Sequence, residues 1–229
     1  MSNIPLVIHI ASKLGTLRKQ FVFVGGSIVE LLLDKFYPLP PRATMDVDTI
    51  VEVYGHGSFA GIEAALRKLG FKNDISTGVI CRWHIDGIAL DVMPTDPKIL
   101  GFSNYWYKAA IKNAKPHFLK PELDILLITA PYFVATKMEA FDGRGEHDFY
   151  GSHDLEDIIT LLDGRESLLD EIIESESDLK SYLVKKFKDY QKNTYFINAL
   201  PGHLSPYQTG TDERVERLEK IIAKIVEAK

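Results

Sequence analysis

The sequence predicts an α+β chain in which strands and helices mix up to residue 129 and helices alone follow. Three observations carry this. Short runs rich in β-branched and aromatic residues recur at 21–24, 47–53, 79–85, 88–93 and 123–128, each of strand length. Asp86-Gly87 separates two of them, the dipeptide expected of a tight hairpin. From Ser152 onward only helical periodicity remains, at 153–162, 166–176, 178–191 and 213–227. At 229 residues, 45% hydrophobic and 26% charged, the chain can bury a real core, in two domains divided as 1–129 and 130–229.

Taken in order, residues 4–18 read as an amphipathic opening helix, weakened near its end by Gly15. The strand Phe21-Val22-Phe23-Val24 ends at Gly25-Gly26, and Ser27 stands as the N-cap of a helix carrying Ile28, Leu31, Leu32, Asp34 and Lys35. A strand, paired glycines and a capped helix put bare backbone N–H groups at a positive helix end, where a phosphate approaches closely. Residues 36–41, with Pro38, Pro40 and Pro41, cannot be helical and form an extended connection. Arg42 and Thr44 end that connection, within reach of whatever the next residues hold.

Those residues are Asp46-Val47-Asp48, at the start of the second strand. Side chains two apart on a strand share a face, so both carboxylates project together. Two carboxylates that close repel, and a hard divalent cation such as Mg²⁺, which takes oxygen ligands and substrate phosphates, resolves the conflict. A phosphate cradle beside a divalent-metal pair points to phosphoryl or nucleotidyl transfer. Asp91 interrupts the otherwise apolar strand 88–93, which Pro94 ends, and is the candidate third carboxylate. Between the second strand and the hairpin, Gly55-His56-Gly57 reads as a loop, Ser58 as an N-cap, and 59–69 as a helix closed by Gly70.

Residues 98–120 contain Lys98, Lys108, Lys112, Lys115 and Lys120 among Tyr105, Trp106, Tyr107 and Phe118, with no acidic residue. Basic side chains interleaved with aromatics can follow a nucleic-acid backbone and stack its bases; a solvated helix face over core aromatics is the plain reading. After the last strand, Thr129 and Pro131 open a helix that carries Lys137, and 142–148 is a polar loop. The segment 198–211, with Pro201, Gly202, Pro206 and Gly210, reads as a long loop.

Composition excludes several classes. One cysteine, Cys81, allows no internal disulfide framework and fits a reducing cytoplasm. No apolar run reaches membrane-spanning length, and the N-terminus has no basic leader before its apolar residues. A formal net charge of −5 argues against nonspecific coating of nucleic acid while leaving room for a local basic groove. The histidines show no zinc-ligand spacing, and nothing in the sequence pairs Cys81 with a base. Singly, the glycine pair would be a tight turn and the aspartates solvated strand ends. Jointly, in this order on strand, turn and strand, they argue for chemistry.

Val24-Gly25-Gly26-Ser27, the run from Arg42 to Asp48, Leu90-Asp91-Val92, and Lys137 with Arg144 and the segment from His153 to Ile158 together resemble the polymerase-β-like nucleotidyltransferases, in particular the AbiEii-type toxins of toxin–antitoxin systems. The resemblance covers roughly residues 20–162. It implies a small mixed β-sheet core with flanking helices and a helical C-terminal region. Asp46, Asp48 and Asp91 would hold Mg²⁺, with Mn²⁺ as the substitute, and Asp91 would complete the metal site or act as base. Gly25, Gly26 and Ser27 would bind the triphosphate, with Arg42 and Thr44 beside them. Lys137 would touch the nucleotide phosphates, and Asp154 would hold the Lys137 region or line the pocket. A nucleoside triphosphate such as ATP is the implied donor, an RNA end the implied acceptor and an antitoxin protein the implied partner. The chain departs from the family pattern in a longer separation of Ser27 from Asp46, and in His153 where a Lys or Arg commonly precedes the later aspartate. Two other readings compete: an Asp-x-Asp metal-dependent glycosyltransferase, which the glycine turn and Leu90-Asp91 disfavour, and a degenerate nucleotide-binding or interaction module, against which the three aspartates stand.

Overall fold

The computed structural model describes residues 2–34, 41–74, 81–143, 147–204 and 211–228. The chain divides into two compact units, one of residues 1–31 and 42–129, the other of residues 32–41 and 130–229.

In the first unit the elements run α1 (Ile4–Leu14), β1 (Phe21–Val24), α2 (Val29–Leu32), β2 (Asp46–Val51), α3 (His56–Lys68), β3 (Lys72–Asn73), β4 (Arg82–Ile85), β5 (Ile88–Pro94), α4 (Pro97–Leu100), α5 (Tyr107–Lys112), β6 (Lys115–Lys120) and β7 (Leu123–Leu127). The strands form one sheet in the order β3-β4-β5-β2-β1-β7-β6. It is mixed: β1 runs antiparallel to β2 and parallel to β7, β2 runs parallel to β5, and β3-β4, β4-β5 and β6-β7 are antiparallel. The α+β expectation therefore holds. All four residues of β1 are buried, as an uninterrupted apolar run demands of a central strand. Helix α1 buries Val7, Ile10, Ala11 and Leu14, an i, i+3, i+4, i+7 stripe.

Several local expectations are corrected. The first helix stops at Leu14, because Gly15 takes φ +54° and the chain continues as a 3₁₀ turn to Gln20. Ser27 is not an N-cap. Gly25, at φ +74°, starts the turn earlier, and Ser27 lies inside a 3₁₀ turn, Gly26–Ile28, ahead of the single α turn of α2. Ser58 likewise lies within α3, which begins after Gly55 at φ +81°; its hydroxyl still accepts from Tyr54 N–H at 2.9 Å. Strand β6 has no counterpart in the sequence reading, and the two-residue β3 is also new. The predicted hairpin is present: Asp86 at φ +51° and Gly87 at φ +80° make the two-residue turn that suits strand twist. Lys35 of the predicted helix, residues 36–40 of the predicted connection and 79–80 of the predicted strand lie outside the described residues.

The second unit contains α6 (Ala130–Gly143), α7 (His153–Gly164), α8 (Leu168–Ile173), α9 (Ser177–Gln191), α10 (Thr194–His203) and α11 (Thr211–Glu227). Its core includes Phe133, Leu155, Ile158, Phe187, Phe196, Leu218 and Ile222. Residues 198–203, read from sequence as loop, complete α10, with Pro201 in its last turn; residues 205–210 of that loop, and Arg144, lie outside the described residues. Asp163, 5% exposed, is held by Arg214 at 2.6 Å and by Arg217, which ties α11 to the end of α7. Arg165 forks onto Glu171 and donates to the Leu32 carbonyl at 2.7 Å, anchoring the start of the connection to the same unit.

Candidate active site

Strand geometry alone brings the three predicted carboxylates together. Asp46 and Asp48 alternate with Val47 along β2 and so share a face. In the parallel ladder between β2 and β5, Asp48 is paired with Asp91, and residues paired across a ladder project to the same side. On the other side of β2, Asp48 is paired with Val24, the last residue of β1 before the glycine turn. The turn and the carboxylates therefore meet at one end of the sheet.

Contact there is close. A Cβ built on Gly25 would lie 1.9 Å from Asp48 Oδ2, so the bare Cα is what lets the carboxylate sit against the turn. Ser27 is fully buried, and its hydroxyl has no hydrogen-bond partner among the described residues. A buried hydroxyl without a partner costs free energy on the order of 1–3 kcal/mol, which a ligand oxygen at this turn would recover. Arg42 and Thr44 are held from the N-terminus: the buried Asn3 donates to the Arg42 carbonyl at 2.9 Å and accepts from Thr44 N–H at 3.2 Å. The Thr44 hydroxyl donates to the Asp46 carbonyl at 2.9 Å, so it fixes the start of β2.

One residue at this site escapes the sequence reading. Arg82 donates through Nε to Asp91 Oδ1 at 2.8 Å, through Nη2 to Asp91 Oδ2 at 2.7 Å, and through Nη2 to Asp46 Oδ2 at 2.9 Å. Forked guanidinium–carboxylate pairing of this kind is the strong, charge-assisted form. Its hydrogen bonds to Asp91 hold the Arg82 proton more tightly than usual, against the opposing effect of burial. The signal for it lies in the hairpin: a two-residue turn at Asp86-Gly87 pairs Ile85 with Ile88 and, three steps out, Arg82 with Asp91. Cys81, next to it, is buried, and its thiol is pushed up to about 11, first by burial and then by the Asp91 carboxylate. Both effects favour the neutral thiol at physiological pH.

Three carboxylates on one face are the hard oxygen donor set that a divalent cation takes. As they stand, no group of three or more His, Cys, Asp or Glu among the described residues is arranged to hold a metal ion. Arg82 spans two of the three. The donor chemistry fits the metal, and the guanidinium is what lies among the donors.

Lys137 and Asp154 belong to the helical unit. Lys137, 8% exposed, pairs with Asp154 Oδ1 at 3.1 Å and Asp157 Oδ2 at 2.7 Å, and both aspartates are buried. Asp154 and Asp157 are three apart on α7 and so share one helix face toward the lysine. The same unit has a cavity of about 670 Å³ lined by Asp142, Asp148, Phe149, Lys186, Tyr190 and Tyr195 among others, none of them a residue singled out from the sequence.

In the basic stretch, Lys98, Lys108, Lys112, Lys115 and Lys120 are exposed. Its aromatics divide: Tyr105 and Phe118 are 75% and 76% exposed, whereas Trp106 is buried and the Tyr107 hydroxyl contacts Met93 Sδ. Trp106 is thus a core aromatic, Tyr107 is half-buried, and Tyr105 and Phe118 lie on the surface.

No helix of the described residues is long and apolar enough to cross a membrane. No curated protein gives a match. A crystal structure of an antigenic nucleotidyltransferase-like protein from Paracoccidioides brasiliensis is similar in fold, with a TM-score of 0.50 at 19% identity, covering 88% of this chain and 93% of that one. The family described as nucleotidyl transferase AbiEii toxin, type IV toxin–antitoxin system, matches residues 11–227. With the match spanning nearly the whole chain, this protein belongs to the AbiEii nucleotidyltransferase toxin family.

Proposed function

We propose that the protein moves a nucleoside monophosphate from a nucleoside triphosphate to an acceptor hydroxyl on RNA, a tRNA end being the favoured acceptor, in a Mg²⁺-dependent reaction that an antitoxin counters in the cytoplasm. The observation that carries the reading is the meeting of Asp46, Asp48 and Asp91 on one face of β2 and β5 with the Gly25-Gly26-Ser27 turn at the end of β1. Asp46, Asp48 and Asp91 would hold the metal, which when bound supplies charge neutralisation at the transferring phosphate and a lower pKa for the attacking hydroxyl.

The chain's own residues do the rest. The N–H groups of the 3₁₀ turn and the Ser27 hydroxyl, which has no partner among the described residues, are suited to phosphate oxygens. Thr44 and Asn3 keep the start of β2, and with it Asp46, in place. Asp91, whose two oxygens accept from Arg82 as it stands, would complete the metal site or, once released, take the acceptor proton. The exposed lysines at 108, 112 and 115, with Tyr105 and Phe118, support an acceptor that is a polyanion with stackable bases.

Incubation with each α-labelled nucleoside triphosphate, Mg²⁺ and total cellular RNA tests this. Label is expected in RNA, and chelator or Asp48→Asn is expected to abolish it. Label in protein or small molecules with none in RNA overturns the acceptor, and no transfer to any acceptor overturns the reading. Changing Lys108, Lys112 and Lys115 together to Glu is expected to weaken transfer to RNA and flatten its salt dependence; an unchanged salt slope removes these lysines from the acceptor path.

A further inference from the structure

Arg82 is built into the carboxylate cluster by the covalent length of a turn. The β4-β5 hairpin closes through two residues, so its register sets Arg82 opposite Asp91, and the ladder of β5 with β2 sets Asp91 beside Asp48. From there the guanidinium takes both oxygens of Asp91 and one of Asp46. The side chain of Arg82 is 26% exposed and that of Asp91 11%, so water screens the pair only in part. Every Arg82 contact named here is to a residue that would ligate the cation. A guanidinium always carries its charge, so it cannot leave this position by losing a proton.

A divalent cation and Arg82 therefore want the same oxygens. A small hard cation needs ligand oxygens about 2.0–2.1 Å away in near-octahedral array. Both Asp91 oxygens already accept from Arg82, and a second positive centre held by the same carboxylate repels the first across a few ångströms.

We infer that Arg82 is an internal counter-ion of the carboxylate site. It holds Asp46 and Asp91 in orientation while no divalent cation is bound, competes with that cation for their oxygens, and releases at least part of this grip when the cation is taken up. Arg82 is thus a positioning residue that sets the threshold of divalent-ion affinity. This inference rests on the proposed metal-dependent reading.

The test is Mn²⁺ binding to the full chain without nucleotide, followed by the free-ion EPR signal, with thermal melts alongside. Parent, Arg82→Gln, Arg82→Lys and Asp91→Asn are compared. Arg82→Gln is expected to melt lower than the parent without metal, to bind Mn²⁺ at least about tenfold more tightly, and to gain more melting temperature on Mn²⁺ addition than the parent does. Arg82→Lys keeps the charge without the fork and is expected to fall between the two; should Arg82→Gln not fold without metal, its recovery by Mn²⁺ and the Arg82→Lys affinity carry the comparison. Mn²⁺ affinity equal to or weaker than the parent's in both Arg82 variants, with binding still lost in Asp91→Asn, overturns the counter-ion role and leaves the metal site standing. Absence of Mn²⁺ binding in parent and Arg82 variants alike overturns the metal reading itself, and this inference with it.

Discussion

Gly25 and Asp48 touch: the carboxylate of one β-strand occupies the space that any side chain at the end of its neighbour would need. A Cβ on Gly25 would come within 1.9 Å of Asp48 Oδ2, and the backbone there has φ +74°. Gly25→Ala therefore meets two obstacles. This backbone conformation, φ +74° with ψ −172°, is open essentially to glycine alone and costs an L-residue about 1–3 kcal/mol, and Asp48 must also move aside. A fall of roughly 2–8 °C in melting temperature is expected. Nucleotide transfer should drop more than stability does, by more than about tenfold, because the displaced group is one of the carboxylates proposed to hold the metal. Equal activity per folded molecule in the variant would remove the turn from the site.

Asp46→Asn, Asp48→Asn and Asp91→Asn each exchange a carboxylate proposed to ligate the cation for a neutral amide. If the cation supplies several kcal/mol of transition-state stabilisation, each exchange costs on the order of 10²–10³ in rate. Single-turnover transfer at saturating Mg²⁺ measures this. Asp91→Asn should also free Arg82 from its fork, so its melting curve is expected to respond most.

Lys137→Met leaves two buried carboxylates, Asp154 and Asp157, without their shared ammonium. Breaking a buried ion group by removing one partner costs about 3–5 kcal/mol, and urea denaturation should register a loss of that size. Adding Asp154→Asn and Asp157→Asn to the same chain should restore much of it. A Lys137→Met protein as stable as the parent but deficient in nucleotide binding would assign the lysine to substrate instead.

Cys81 offers a pH-dependent reading. Its folded-state pKa is raised to about 11, so the thiol stays neutral through the physiological range and becomes thiolate only as pH climbs toward that value. Alkylation of the native protein should be slow at pH 7.5 and rise about tenfold per pH unit, whereas the denatured chain, with an ordinary thiol near 8.5, reacts promptly. The contribution of this group to stability is fully present below the unfolded-state value and is lost as pH rises through the folded one. Rapid labelling of the folded protein at neutral pH would contradict the burial that raises it.

Much of this site is legible in the sequence because it depends on strand alternation and turn length, which are local. Asp46 and Asp48 follow from a period of two, and Asp91 stands out as a charge in an apolar run. Arg82 follows from the same hairpin once residues are counted back from Asp86-Gly87, though nothing in its own neighbourhood marks it. Strand β6 is hidden because it is an edge strand: Lys115, Pro116 and Lys120 protect an exposed rim and leave no apolar alternation to detect. Helix α10 is hidden because Pro201 and Gly202 read as loop signals, whereas α10 already has its turns before them. The partners of Lys137 are tertiary, since Asp154 and Asp157 reach it from the next helix.

The Asp86-Gly87 turn acts as a ruler as well as a bend. Opposite Asp91 it measures out a guanidinium; one residue added to or removed from the loop would slide the strand by a notch and present Cys81 or the indole of Trp83 there instead, with every side chain of the strand moved to the other face. Point changes at the two positions should be tolerated wherever both φ angles stay positive, while insertions and deletions should not. The length of a surface loop thereby governs the electrostatics of a buried carboxylate.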